Sequence, residues 1–190
     1  MIITKTELFD EKERYAREIA KGAVFLHPTD TINGLGASAI HDEAVEKLRR
    51  IKQNPHAPMS IIVPSKDWIR KNCEVPAHAE EWLAKLPGPY TLVLKLKNKN
   101  AVSKHVNPKG DTIGVRIPKH WISEFVEAVG EPIISTIANV QGQEYTHDID
   151  EVHADISNNT NFMIYESYEK GKPSDIIVLT GDAPEIITRR

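Results

Sequence analysis

A single cysteine, Cys73, in 190 residues excludes an internal disulfide framework and any zinc centre built on cysteine pairs. No apolar run is long enough to cross a bilayer, and the opening Met1-Ile2-Ile3-Thr4-Lys5-Thr6-Glu7 lacks the basic region and long apolar segment of an export signal. These absences predict a cytoplasmic protein with no membrane partner. Excess positive charge is missing too: 24 Lys and Arg stand against 27 Asp and Glu, for a net charge of -3, so no global field recruits nucleic acid. The standard nucleotide motifs are absent. Gly34-Leu35-Gly36 has neither the third glycine nor the downstream acid of a dinucleotide fold, and no glycine-rich segment ends in Gly-Lys-Ser/Thr. The eight histidines contain no His-Glu-x-x-His, and His147 and His153 have no partnering cysteine pair, so no protein metal site is expected. A triphosphate would have to be held by dispersed cations and backbone donors, with Lys52 and Arg116 best placed because each ends a predicted element beside a loop.

What is present is the balance of a globular protein, 40% hydrophobic and 27% charged, with length enough for one core, so residues 1–190 are expected to form one domain. Asp10 and Glu13 have capping-box spacing ahead of a helix carrying Tyr15, Ala16, Ile19 and Ala20 to Gly22. A strand at 23–26 follows. Asp42 caps a helix with Val45, Leu48 and Ile51 on one face, stopped by Asn54-Pro55, and Arg49, Arg50 and Lys52 complement its dipole. Further along, the pattern predicts a strand over 59–63, a helix over 76–86, and an alternating strand from Tyr90 to Lys97. Thr112–Ile117 is another strand, Trp121–Val129 a helix capped by Gly130, and Pro132–Ile137 a strand. A short helix near 148–154 and strands at 161–166, 175–179 and 185–189 complete a mixed α/β order without repeats.

The densest chemistry follows the first strand, in Val24-Phe25-Leu26-His27-Pro28-Thr29-Asp30-Thr31-Ile32-Asn33-Gly34-Leu35-Gly36. Pro28 ends the ladder, and the next eight residues offer two hydroxyls, a carboxylate, an amide and two glycines that allow close backbone approach to a ligand. On pattern alone, a capped polar turn opening a helix is an equal reading.

This run resembles the signature of the YrdC/Sua5 family of threonylcarbamoyl-adenylate synthases, Pro-Thr-Asp/Glu-Thr-Val/Ile-Tyr-Gly-Leu, with Pro28, Thr29, Asp30, Thr31, Ile32, Gly34 and Leu35 agreeing. The likeness continues in order from residue 8 to 190. Lys52-Gln53-Asn54-Pro55 stands where the family has Lys-x-Arg and proline, followed by Pro58-Met59. Pro87-Gly88-Pro89-Tyr90-Thr91, Gly114-Val115-Arg116-Ile117-Pro118 and Ser135-Thr136-Ile137-Ala138-Asn139-Val140-Gln141-Gly142 are similar to three further segments. Pro173-Ser174-Asp175-Ile176-Ile177 and the arginine of Ile186-Ile187-Thr188-Arg189 match the close. Three departures stand out: Asn33 replaces Tyr, Asn54 replaces Arg, and Ile137 replaces Ser. Asparagine has neither the charge nor the donor fork of arginine, and isoleucine turns a polar ligand into an apolar wall.

The resemblance implies an α/β fold of the YrdC/RibB-like kind, a twisted mixed or mainly parallel sheet flanked by helices, with a positively lined concave face. It implies a nucleotidyltransferase that condenses L-threonine, bicarbonate and ATP into threonylcarbamoyl-adenylate, supplying downstream tRNA threonylcarbamoyl transferase machinery that modifies adenosine 37 of ANN-decoding tRNAs. By residue, Thr29, Thr31 and Asn33 are candidates for the threonine substrate. Arg116 is a candidate for its carboxylate and Lys52 for carboxylate or phosphate charge; both are put forward as catalytic. Asn54, Asn139, Ser174 and Arg189 are candidates around the adenylate and phosphates, with Mg2+ accompanying ATP and no protein metal ligands. The chain ends just after the synthase-like region, so the short YrdC-like form is expected. The alternative is a noncatalytic or altered-substrate member binding nucleotide, tRNA or double-stranded RNA through local basic groups such as Arg49-Arg50-Lys52.

Overall fold

The structure, a computed structural model, describes residues 1–140, 142, 151–166 and 171–189. In chain order its elements are β1 (Ile2–Thr4), α1 (Lys5–Asp10), α2 (Lys12–Ala20), β2 (Phe25–His27), β3 (Gly34–Gly36), α3 (Asp42–Lys52) and β4 (Ser60–Ile62). There follow α4 (Lys66–Asn72), a 3-10 turn (Ala77–Ala79) leading into α5 (Glu80–Ala84), β5 (Tyr90–Lys95), β6 (Thr112–Arg116) and α6 (Ile122–Val129). The chain closes with β7 (Ile133–Ile134), β8 (Thr136–Ile137), α7 (Ala154–Ser157), β9 (Phe162–Tyr165), β10 (Asp175–Val178) and β11 (Glu185–Ile187).

The strands form two mixed sheets, one of five strands in the order β1-β9-β2-β3-β8 and one of six in the order β11-β10-β5-β6-β4-β7. The mixed α/β class is as expected, but the strands divide into two sheets, and the most abrupt passage between them is at Ser135. The strand expected over 132–137 splits at Ser135: Ile133–Ile134 pair antiparallel with β4, and Thr136–Ile137 pair antiparallel with β3. Ser135 itself is tied to the first of these partners, its N–H donating to the Ser60 carbonyl at 2.9 Å. The chain thus steps from one sheet to the other within one residue.

Each sheet has an apolar face to bury. Leu26, Leu35, Leu48, Ile61, Val115 and Ile177 belong to one core. Tyr15, Phe25, Phe125, Ile133 and Phe162 belong to a second, in which Phe25 stacks on Phe162 with ring centroids 5.0 Å apart. Burying one such side chain contributes about 1.5–3 kcal/mol, which is why the apolar strand runs were readable.

Several local expectations are corrected. The polar run after β2 does not open a helix; it closes a hairpin, with Phe25 opposite Gly36 and His27 opposite Gly34. The two glycines are required by packing as well: a Cβ on Gly34 would lie 2.7 Å from His27 Cε1, and one on Gly36 2.9 Å from Phe25 Cζ. The rings of β2 occupy that space. The capping box belongs to Thr4 and Glu7, at the start of α1, while Glu11 precedes α2 without a side-chain cap. His41, not Asp42, caps α3, its Nδ1 accepting from the Ala44 N–H at 3.3 Å. The unexpected helix α4 begins at Ser65, whose hydroxyl accepts from the Trp68 N–H. Of the helix expected near 148–154, only Ala154 is α-helical among the described residues, as the first residue of α7 (Ala154–Ser157); positions 148–150, like Gln141 and His147, lie outside the described residues. Among the described residues no helix is long and apolar enough to cross a membrane.

Candidate functional site

The hairpin loop between β2 and β3 is organised by Thr29. Its hydroxyl donates to the Ile32 carbonyl at 2.8 Å, accepts the Thr31 N–H at 3.1 Å, and lies 3.0 Å from the Thr31 hydroxyl. Because a hydroxyl has one proton, Thr31 must be the donor between the two. Thr31 then accepts from Arg116 Nη2 at 3.1 Å, and the same nitrogen donates to Asp30 Oδ1 at 2.8 Å. Asp30 is held on its other oxygen by the Lys119 N–H at 2.8 Å. Both partners of this ion pair are largely withdrawn from solvent, their side chains 7% and 10% exposed. At such a place the attraction is less screened than at the surface but is offset by desolvation, and loss of one member leaves the other stranded.

This corner forms one wall of a cavity of about 400 Å3. Thr31, Asn33 and Gly34 come from the hairpin, Ser60, Thr91, Gly114 and Arg116 from the six-stranded sheet, and Ser135, Ile137 and Asn139 from the crossing segment. Asn54, Ala57 and Pro58 form a lip after α3, and Ser174 and Arg189 close the far end of the chain onto the site. Arg189 Nε donates to the Ser174 carbonyl and Nη2 to its hydroxyl, both at 2.7 Å, while that hydroxyl lies 2.8 Å from Thr91 Oγ1. Burial lowers the Arg189 pKa, with the Asp175 charge opposing. The cavity is therefore lined, among the described residues, by two guanidiniums amid hydroxyls, amides and apolar groups. One of the two brings its own counter-charge, so the expected positive lining is weaker than two arginines suggest.

The structure brings together Thr31, Asn33, Asn54, Arg116, Asn139, Ser174 and Arg189 on this cavity, and leaves Thr29 and Lys52 off its surface. Thr29 sits behind Thr31 as the tie of the loop. Lys52 is 7% exposed, and its ammonium donates to the carbonyls of Ile137 and Asn139 and to Asn139 Oδ1. Burial lowers its pKa to about 8. Ile137 does form apolar wall where the resemblance has a hydroxyl.

Sequence reasoning assigned no site role to Asp30, Thr91, Ser135, Arg49 or His27. Asp30 was visible inside the motif but not assigned a partner, and Thr91 and Ser135 lie in matching segments without an individual signal. Arg49 looked like one of three helix-end cations. It is instead 7% exposed, its Nε donating to the His105 carbonyl and its terminal nitrogens to the carbonyls of Asn54, Ala57 and Val106. His27 lies beneath the hairpin, fully buried; its Nδ1 is 3.2 Å from the Pro28 carbonyl and its Nε2 has no hydrogen-bond partner among the described residues. Desolvation lowers its pKa to about 4, so the ring is neutral near pH 7 with Nδ1 as the donor.

Comparison with known proteins places this geometry. Residues 17–190 match the Sua5/YciO/YrdC family, described as "Telomere recombination". The chain is 33% identical over 171 residues to the Methanocaldococcus jannaschii protein named "Putative threonylcarbamoyl-AMP synthase", covering 87% of this chain and 79% of that one. It is 30% identical over 178 residues to the Escherichia coli "Uncharacterized protein YciO", covering 89% and 84%. Among solved structures, Sua5 of P. abyssi complexed with L-threonine superimposes with a TM-score of 0.80 at 29% identity, over 91% of this chain but only 52% of that one. The chain thus spans about half the length of that Sua5. The E. coli YciO structure gives a TM-score of 0.81 at 28% identity, over 93% and 87%. By sequence match, fold and coverage, the chain belongs to the YrdC/Sua5 family.

Proposed function

We propose that the protein, acting as one domain over residues 1–190, is a threonylcarbamoyl-AMP synthase that makes L-threonylcarbamoyladenylate from L-threonine, bicarbonate and ATP. The observation that carries the reading is the convergence in one cavity of two arginine–hydroxyl pairs, Arg116 with Thr31 and Arg189 with Ser174. Arg116 and Thr31 suit the amino-acid carboxylate, and Arg189 with Ser174 and Asn139 suits the nucleotide. The threonine amine joins the bicarbonate carbon with loss of water, the carbamate oxygen attacks the α-phosphorus, and pyrophosphate departs. A carbamate is labile in water, so a walled cavity contributes mainly by proximity and water exclusion. Among the described residues no three His, Cys, Asp or Glu side chains gather as a metal site, and Mg2+ enters as part of the Mg-ATP substrate. The product would pass to the tRNA threonylcarbamoyl transferase machinery.

A second reading, a nucleotide- or RNA-binding member with altered or no catalysis, is favoured by the cavity positions of Asn33, Asn54 and Ile137, where the family signature has Tyr, Arg and Ser. The assay that separates the two supplies purified protein with Mg-ATP and follows pyrophosphate and the adenylate by mass spectrometry. The synthase reading expects ATP consumption only with L-threonine and bicarbonate together. Consumption indifferent to threonine, or none by folded protein, supports the second reading instead.

A further inference from the structure

The last turn of α3 holds two buried cations, Arg49 and Lys52, and neither has a carboxylate within ion-pair distance among the described residues. Burying a cation without a counter-charge is costly, and here the cost is offset only by hydrogen bonds. The acceptors form two groups. Arg49 takes the carbonyls of Asn54 and Ala57, plus those of His105 and Val106 behind them. Lys52 takes the carbonyls of Ile137 and Asn139 and the Asn139 side chain, which together saturate its three N–H bonds. Asn54 and Ala57 line the cavity on one side, and Ile137 and Asn139 line it on another, whereas Arg49 and Lys52 themselves do not.

We infer that the end of α3 is a two-point clamp that sets the spacing of these two lips, with Arg49 and Lys52 acting as positioning residues rather than as ligands of the substrate. The 54–57 lip contains Pro55, is followed by Pro58, and is closed by short-range bonds, Asn54 N–H to the Arg49 carbonyl at 3.2 Å and Ala57 N–H to Asn54 Oδ1 at 3.0 Å. The 137–139 lip begins in β8, where Ile137 pairs with Gly34, and continues with Ala138 N–H donating to the Asn33 carbonyl at 3.2 Å. A helix is the stiffest element available, and two cations three residues apart on its last turn lie on one face and reach both sides. The guanidinium fork serves four diverging carbonyls, and the compact ammonium serves three converging acceptors. The clamp also draws carbonyl oxygens toward cations outside the cavity, which leaves its surface more favourable to an anion.

The proposal that the clamp serves catalysis rests on the synthase reading, but the clamp itself is tested without substrate. Hydrogen exchange by mass spectrometry on the full chain compares wild type with Lys52→Met and Arg49→Lys. Lys52→Met keeps the stem and loses the ammonium; Arg49→Lys keeps the charge and loses the fork. Exchange is expected to accelerate over 137–140 in the first and over 54–59 in the second, each lip separately, with the strands unchanged. Binding of L-threonine and ATP, by calorimetry, should weaken at least about tenfold in both, since misplacement of a wall by an ångström is enough. Lys52→Arg, which restores a cation with a different fork, should recover exchange protection only in part. Unchanged lips in folded variants overturn the clamp, as does exchange raised over the whole chain. Lost ligand binding with an unchanged 137–140 lip makes Lys52 a direct ligand and also overturns it. If wild type binds neither substrate, the synthase reading fails while the exchange result still judges the clamp.

Discussion

Arg116 shows how a residue can be readable in type and misread in state. Its position before Pro118 at the end of β6 marks it as a binding group, but nothing in the sequence pairs it with Asp30, 86 residues away. Arg116→Ala should weaken L-threonine binding by about 2 kcal/mol, and it should also destabilise the fold because Asp30 is left without its cation. Calorimetry and denaturant titration measure the two effects separately; unchanged threonine affinity removes Arg116 from the carboxylate role. His27 gives a prediction with a defined sign. Its pKa falls from 6.5 to about 4 on folding because burial disfavours the imidazolium. The unfolded chain therefore binds the proton more readily, so the stabilisation is complete above pH 6.5 and is lost as pH falls toward 4, by about 3 kcal/mol. Unfolding free energy measured from pH 7 to 4 should fall by that amount in wild type, and His27→Phe should flatten this part of the profile. A wild-type curve with no descent over that window would contradict the buried neutral ring.

At the scale of elements, the legible parts were those with a period or a terminator. The strand around Phe25 ends at a proline, α6 shows its apolar face and its C-cap at Gly130, and both stand where expected. The illegible parts were too short for a period. β3 is three residues and contains two glycines, and β7 and β8 are two residues each, so their pairing is decided by neighbours and not by their own pattern. The same brevity hid the site, because its walls come from these small elements and from the ends of longer ones. The β2–β3 hairpin supplies a sharp check on its packing. A methyl group on Gly34 would meet His27 Nε2 at 2.8 Å and Ser135 Oγ at 2.9 Å, whereas one on Gly181 would meet nothing closer than 3.9 Å. Gly34→Ala should cost about 1–3 kcal/mol as overpacking, and Gly181→Ala should be near neutral. Equal unfolding midpoints for the two variants would show that the hairpin yields without strain.

Over the whole molecule, the cavity matters because its walls belong to different sheets. Gly34 and Ile137 are in the five-stranded sheet, Arg116 and Ser60 in the six-stranded one, and Ser135 is the step between them. A mixed α/β order could be anticipated from apolar strands separated by helices, but two sheets in place of the one expected, and their juxtaposition, could not, since both depend on where a six-residue apolar run changes partners. A ligand that touches both walls has a mechanical consequence that a ligand on one wall does not. Binding at a hundredfold excess over the dissociation constant adds about 2.7 kcal/mol to the stability of the bound state, and that gain belongs to every element whose opening requires release of the ligand. With L-threonine and a non-hydrolysable ATP analogue together, amide exchange should therefore slow in β3 and β8 and also in β6 and β10, while α4, remote from the cavity lining, stays unchanged. Protection confined to one sheet would mean that the ligands occupy only part of the cavity, and the condensation of amino acid and nucleotide at one centre would lose its geometrical basis. Protection of both sheets by the pair, but of only one by threonine alone, would assign the amino-acid and nucleotide ends of the cavity to separate walls.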